Sequence, residues 1–268
     1  MLSLHGLTTA EAAKLAGVAT TTVKRWADQG LLPFERTPGG HRRFERAAVE
    51  RVLREQRSGD GGDPLIASWL DHLLRSQRYV LDGQLLAARG RLGAWYRVAD
   101  ELGLVLEELG KQWESGGVTI AQEHAASECL ARSLTRVSDT MPLASVGPTC
   151  LLACAPGDEH TLGLCLTELC LREAGRRTLW VGRKTPLGEI LRLVDDGHLA
   201  MVAVSASAAS TNTRMLGQFA RELGAACAKA RVDLVVGGAG SWPDDLAHAT
   251  RLWSFAAYHE FLRVRENR

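Results

Sequence analysis

The chain has 268 residues, 46% of them hydrophobic, six cysteines and a formal net charge of +1. That length suggests about two domains, or three if one is small, with ample apolar material for buried cores. No uninterrupted apolar run can span a bilayer, and MLSLHGLTT lacks the basic flank and apolar stretch of a secretion signal, so membrane-spanning and secreted classes are excluded and a cytoplasmic chain without disulfides is expected.

Residues 1–57 hold ten Lys/Arg against six Asp/Glu, a local excess of +4 that leaves the remainder near −3. A basic end on a neutral chain suggests a nucleic-acid module joined to something else. Thr8 stands three residues before Glu11, the spacing of a capping box, and Ala12, Ala13, Leu15 and Ala16 follow on one face of a short helix. Gly17-Val18 is a tight turn, and a second helix is predicted from about Thr20 to Gln29. Thr21, Thr22, Lys24 and Arg25 occupy its polar positions, suited to phosphates and base edges. Pro38-Gly39-Gly40 is a turn, His41, Arg42 and Arg43 follow on an expected β-wing, and AAVERVLREQ closes the module as a helix.

Residues 7–56 resemble the MerR-type winged helix-turn-helix family. The resemblance is carried by Ala12, Leu15 and Val18 at three-residue spacing, by Thr22-Val23-Lys24-Arg25-Trp26, by Gly30-Leu31-Leu32 and by the wing Thr37 to Phe44. One departure is Ala19, where that family often has a capping serine. The resemblance implies a dimer on double-stranded operator DNA with two half-sites.

SGDGGDP at 58–64 is a flexible break, and MPLASVGP at 141–148 is a second. Between them, 64–140 has helical periodicity and no strand signal. Leu65, Ile66, Trp69, Leu70, Leu73 and Leu74 fall on one side of one helix, and Leu102, Val105, Leu106, Leu109 and Trp113 repeat the pattern. About four helices of this kind predict a four-helix bundle. Within it, WESGGVTIAQEH ends one helix at Gly116-Gly117 and starts the next at Thr119, so Trp113, Glu123 and His124 come to one end of the bundle. Alone, the stretch reads as a packed Trp, a satisfied His and an exposed Glu.

Residues 148–268 alternate short apolar runs with helical stretches. Strands are predicted at 149–154, 178–182, 199–206 and 232–238, with a weaker one at 251–255. The alternation predicts an α/β doubly wound parallel sheet with ligands at its carboxyl ends. His160 leaves the first strand just before a helix. Asp158 can hydrogen-bond one ring nitrogen and so strengthen the other as a metal ligand. Gly163 removes a side chain where a ligand could approach. Ser205 and Ser207 stand at the third strand end, and Gly237-Gly238 clear another approach at the fourth. Cys150, Cys154, Cys165 and Cys170 lie in apolar runs without CxxC spacing and are expected to be buried small hydrophobes. Asp195-Asp196 and Asp244-Asp245 are expected to be loop or helix-end charges.

The run Asp158-x-His160-x-x-Gly163, with Ser205 and Gly237-Gly238 at later strand ends, resembles the cobalamin-binding fold of methionine synthase and its relatives. The resemblance implies a Rossmann-like domain in which His160 is the lower cobalt ligand, while Ser205, Ser207, Gly237 and Gly238 accommodate the nucleotide tail. The family often has Ser-x-Leu where this chain has Ser205-Ala206-Ser207. In front of that fold, Trp113 with Glu123-His124 is similar to the upper-face motif of the CarH/LitR light-responsive regulators. The order of MerR-type module, bundle and cobalamin domain matches theirs. This resemblance implies that Trp113 and Glu123 pack on the adenosyl group of adenosylcobalamin and that His124 binds cobalt after light breaks the Co–C bond. It further implies a non-enzymatic repressor that holds DNA in the dark as a dimer of dimers. A cobalamin regulator not driven by light, and a cobalamin-dependent methyl carrier, remain as alternatives.

Overall fold

A computed structural model describes residues 6–266 apart from 19, 29, 38, 58–62, 143 and 145. Ala19, Pro38, the end of the second helix at Gln29, most of the first sequence break and residues 143 and 145 of the second therefore lie outside the described residues. The chain divides into two compact units, Met1–Ala67 and Ser68–Arg268.

The first unit contains α1 (Thr9–Ala16), α2 (Thr20–Asp28), β1 (Phe34–Arg36), β2 (Arg42–Phe44) and α3 (Arg46–Arg57). Thr8 caps α1 through the expected reciprocal box. Glu11 N–H donates to Thr8 Oγ1 at 3.2 Å, and Thr8 N–H donates to Glu11 Oε2 at 2.7 Å. Those hydrogen bonds hold the exposed Glu11 carboxyl below its ordinary range. Gly17, at φ 64°, turns the chain into α2. The strands β1 and β2 pair antiparallel, and Phe44 also bridges Leu7. Ala12, Ala16, Val23, Trp26, Leu32, Phe44, Val49 and Val52 close one small core, and Phe34 of β1 packs against it.

The second unit begins with helices: α4 (Pro64–Leu74, which starts in the first unit), α5 (Arg78–Leu92), α6 (Trp95–Glu114) and α7 (Ile120–Asp139). Their buried faces carry Trp69, Leu73, Leu81, Leu85, Val98, Leu102, Val105, Leu109, Leu130 and Leu134 at three- and four-residue spacing. Strands β3 (Thr149–Cys154), β4 (Arg177–Gly182), β5 (Leu199–Ser205), β6 (Asp233–Gly237) and β7 (Thr250–Arg251) follow, with α8 (Leu162–Glu173), α9 (Leu187–Asp195) and α10 (Thr213–Ala230) between them and α11 (Phe255–Glu266) at the end. The sheet order is β4-β3-β5-β6-β7, parallel throughout. The order reverses beside β3, so the crevice outside the carboxyl ends of β3 and β5 is the switch point where such sheets take ligands.

The predicted strand at 251–255 is overturned in part. β7 has two residues, and Phe255 opens a helix that the sequence pattern did not predict. Asp100 on α6 caps that helix from a distance, accepting from Phe255 N–H at 2.7 Å and Ala256 N–H at 3.0 Å. A cap supplied from a residue so remote in the chain leaves no local signal. All six cysteines are free and buried. Burial pushes the Cys150 and Cys154 thiols up to about 11 and those of Cys165 and Cys227 up to about 12, which keeps them neutral and unreactive. Among the described residues no helix is long and apolar enough to cross a membrane.

Candidate functional site

The loop from β3 to α8 carries Asp158 and His160 to the switch point. The Asp158 side chain is fully buried, while that of His160 is 53% exposed. Five donors converge on this one carboxylate. Oδ1 accepts from the His160 backbone N–H at 2.9 Å, faces His160 Nδ1 at 3.0 Å and accepts from Ser207 Oγ at 3.1 Å. Oδ2 accepts from Ser207 N–H at 2.5 Å and Ser210 Oγ at 2.7 Å. Burial alone raises the pKa of this acid, but the donated hydrogen bonds outweigh it and hold the carboxyl below its ordinary value. An ionised Asp158 accepts a hydrogen bond from Nδ1, so His160 is assigned the Nδ1–H tautomer, which leaves the lone pair on Nε2. Ser210 was missed by sequence reasoning, because nothing in its immediate neighbourhood ties it to an acid so far back in the chain.

The sign of the shift fixes a pH dependence. With the folded-state value depressed, the stabilising contribution of Asp158 is present above the unfolded-state value and is lost as pH falls through the folded one. The denaturant midpoint of the wild-type protein should fall in acid, below about pH 4. Asp158→Asn should begin less stable near neutrality and show a shallower acid fall. Parallel acid limbs would contradict the five-donor account.

The glycines are closer-packed than the sequence suggests. A Cβ on Gly163 would run into the Ser205 hydroxyl, so this glycine lets α8 seat on the end of β5, and the space beside it is already occupied. Gly238, at φ 86°, passes so close to the Ala206 carbonyl oxygen that no Cβ fits. Gly240 is equally constrained, with a Cβ placed 2.5 Å from that of Ala206. It too was missed, although Gly237-Gly238-Ala239-Gly240 was there to be read. Only at Gly237 does the nearest atom, the Leu252 carbonyl oxygen at 3.5 Å, leave ordinary room. The closest neighbours at Gly163 and Gly238 are the Ser205 hydroxyl and the Ala206 backbone, so both glycines also serve the packing of the crevice walls.

Trp113, Glu123 and His124 lie at the α6–α7 turn, which projects past the start of α8. Trp95 N–H at the start of α6 donates to Glu173 Oε2 at the end of α8 (2.8 Å), and Arg172 donates to the Ser138 carbonyl at the end of α7 (2.7 Å). Higher up, Thr135 stands beside Cys165. So α6 runs antiparallel to α8, and α7 runs parallel to it. Helices α6 and α7 have 20 residues each and α8 has 12. At 1.5 Å per residue the first two are about 30 Å long and the third about 18 Å, which carries the α6–α7 turn roughly 10 Å past the start of α8. That turn is built as expected. Gly116 is left-handed, and Thr119 caps α7 with Gln122 in a reciprocal box. Trp113 is 46% exposed, and the His124 side chain is 71% exposed. Glu123 pairs with His124 Nδ1 at 2.6 Å and accepts from Ser127 Oγ at 2.6 Å. No hydrogen bond or ion pair among the described residues joins these three to Asp158 or His160.

Among the described residues no group of three or more His, Cys, Asp or Glu is placed to hold a metal ion. The donor set is instead one oriented imidazole, with an exposed aromatic and a second imidazole at the α6–α7 turn. Such a set would suit a metal that brings most of its ligands with it and takes few from the protein.

In the first unit, Thr21, Lys24, Arg25 and His41 are exposed and Thr22 is half-buried. Among the described residues Lys24 and Arg25 make no ion pair. The Arg42 guanidinium pairs with Asp28 at 2.5 Å, donates to the Lys24 carbonyl at 3.3 Å and lies 4.6 Å from the Phe34 ring centre. It ties the hairpin to the end of α2. Arg43 reaches the Gly6 carbonyl at 3.5 Å.

Residues 7–57 match the Helix-turn-helix domain family. The HTH-type transcriptional repressor CarH of Myxococcus xanthus is 30% identical over 222 residues, covering 68% of this chain and 73% of the relative. The chain belongs to the CarH family. A second repressor of that organism, CarA, is 35% identical over 82 residues, 31% of this chain and 27% of its own length. Among solved structures, the Methanosarcina barkeri monomethylamine corrinoid protein aligns with a TM-score of 0.56 at 16% identity, over 74% of this chain and 96% of that one. At that identity the likeness is one of fold, and it places the parallel sheet of this CarH-family chain among Rossmann-like α/β domains.

Proposed function

We propose that this CarH-family chain is a light-responsive, non-enzymatic transcriptional repressor that binds operator DNA through its first unit and adenosylcobalamin in the crevice of its second. The observation that carries the reading is His160, oriented at the switch point by a buried Asp158 carboxylate. His160 Nε2 is the donor for cobalt from below. Ser205, Gly237 and Gly238 shape the crevice for the nucleotide tail, and Trp113 and Glu123 provide the surface for the upper ligand. When bound, adenosylcobalamin supplies a cobalt–carbon bond that breaks in light. His124 is the residue that would hold the metal from above after illumination.

The first unit is read as a winged helix-turn-helix with β1–β2 as the wing, and α4–α7 as a four-helix cap. The similarity to the repressors CarH and CarA supports a dark assembly that holds DNA, proposed to be a dimer of dimers. The lit and dark forms differ in what the α6–α7 turn packs against, and that difference selects the assembly. A multivalent complex that loses members loses affinity steeply. Operator binding of the cofactor-loaded protein, followed by fluorescence anisotropy, should be tight in the dark and weaken at least about 100-fold after illumination. Equal affinity in both conditions would leave a regulator indifferent to light.

Lys24 and Arg25 are the free cations of α2. The double variant Lys24→Ala and Arg25→Ala should weaken operator binding and reduce the slope of log affinity against log salt by about 2 per protomer. An unchanged slope would remove both residues from the phosphate contacts.

A further inference from the structure

We infer that Ser207 is a positioning residue for His160. Its hydroxyl and Asp158 Oδ1 form a two-acceptor clamp on Nδ1 that keeps Nε2, and not a ring carbon, facing the crevice. The inference rests on the cobalamin reading but can be tested apart from it.

Ser207 stands at the position where a leucine would be expected to pack the nucleotide tail. Its hydroxyl lies 3.1 Å from Asp158 Oδ1 and 3.0 Å from His160 Nδ1. A hydroxyl has one proton to give, and Asp158 already acts as acceptor for two backbone N–H groups and Ser210 Oγ, so the Ser207 proton goes to Asp158 and its oxygen accepts from Nδ1–H, as it also does from Ala209 N–H at 3.3 Å. The Nδ1 proton therefore lies between two acceptors. The imidazole is half-exposed, so hydrogen bonding and not packing must set its orientation. Turning the ring over would put Cδ2 where Nδ1 stands and Cε1 where Nε2 stands. With leucine at 207 that flip would forfeit one hydrogen bond, and with serine it forfeits two. The backbone N–H of Ser207 reaches Asp158 Oδ2 whatever the side chain, so substituting residue 207 removes only the hydroxyl, with its bonds to Asp158, His160 and Ala209 N–H, and the threonine variant restores all three.

The experiment compares wild type with Ser207→Ala, Ser207→Leu and Ser207→Thr. One readout is the 15N NMR signature of the His160 ring in cofactor-free protein. The other is equilibrium binding of adenosylcobalamin in the dark, followed by absorbance. Wild type should show one Nδ1–H ring state. The alanine and leucine variants should show exchange broadening at that nitrogen and bind roughly 10-fold more weakly, and threonine should restore both. If the alanine variant matches wild type in ring signature, or threonine rescues neither readout, the clamp is overturned. If wild type binds no cobalamin while the ring signature still responds to Ser207→Ala, the clamp stands and the cofactor reading fails.

Discussion

His160→Ala is expected to lower dark affinity for adenosylcobalamin by more than about 100-fold and to abolish the absorption signature of imidazole-bound cobalt in any residual complex. Residues that merely orient a metal-binding histidine cost about 10- to 100-fold when removed, so the donor itself should cost more. The protein should remain folded, because His160 is half-exposed and its loss removes no core contact. Asp158→Ala makes the informative comparison. It leaves Ser207 and Ser210 donors with no acceptor in a buried place, so it should damage both binding and stability, whereas His160→Ala should damage binding alone. A His160→Ala protein that retained the wild-type spectrum would assign the lower ligand elsewhere.

The second large effect is on stability. Gly238→Ala is expected to destabilise the protein by about 3 kcal/mol or more, because it combines a left-handed backbone with a Cβ driven into the Ala206 carbonyl. Gly17→Ala provides the control. Gly17 has a similar φ of 64° but open space around its missing Cβ, so its substitution should cost only about 1 kcal/mol. Chemical-denaturation midpoints measure both. Equal losses would mean that φ alone matters and that the close passage of the Gly238 turn over Ala206 does not. The two glycines look alike in sequence and differ only in what stands opposite them.

That contrast marks where sequence reading ends. The strands β3 to β6 were legible because their apolar runs are short and separated by helical spacing; β3, β5 and most of β6 are buried, whereas edge strand β4 exposes Leu179 and Trp180. The caps at Thr8 and Thr119 were legible because the reciprocal box is a local device. Asp158 and His160 were legible because their coupling spans two residues. Ser210, Gly240 and the Asp100 cap of α11 were not, since each acts across the chain on a partner that only the sheet order or helix packing brings near. The local partners of Arg42 were likewise not legible, because Asp28 and Phe34 meet it only once the hairpin folds beside α2. Trp113, Glu123 and His124 were gathered at one end of the helices by the short turn. That this end stands clear of α8 follows from the lengths of three helices and where their ends are tied.

The central claim is that an Asp158-oriented imidazole holds the cobalt of a corrinoid. It is tested most directly by incubating the purified full chain with adenosylcobalamin in the dark, desalting it, and recording the absorption spectrum. The account predicts about one cobalamin retained per chain, with the spectrum of a cobalt whose lower ligand is imidazole and a change on illumination that His124→Ala alters. Protein that emerges colourless from the column would contradict it.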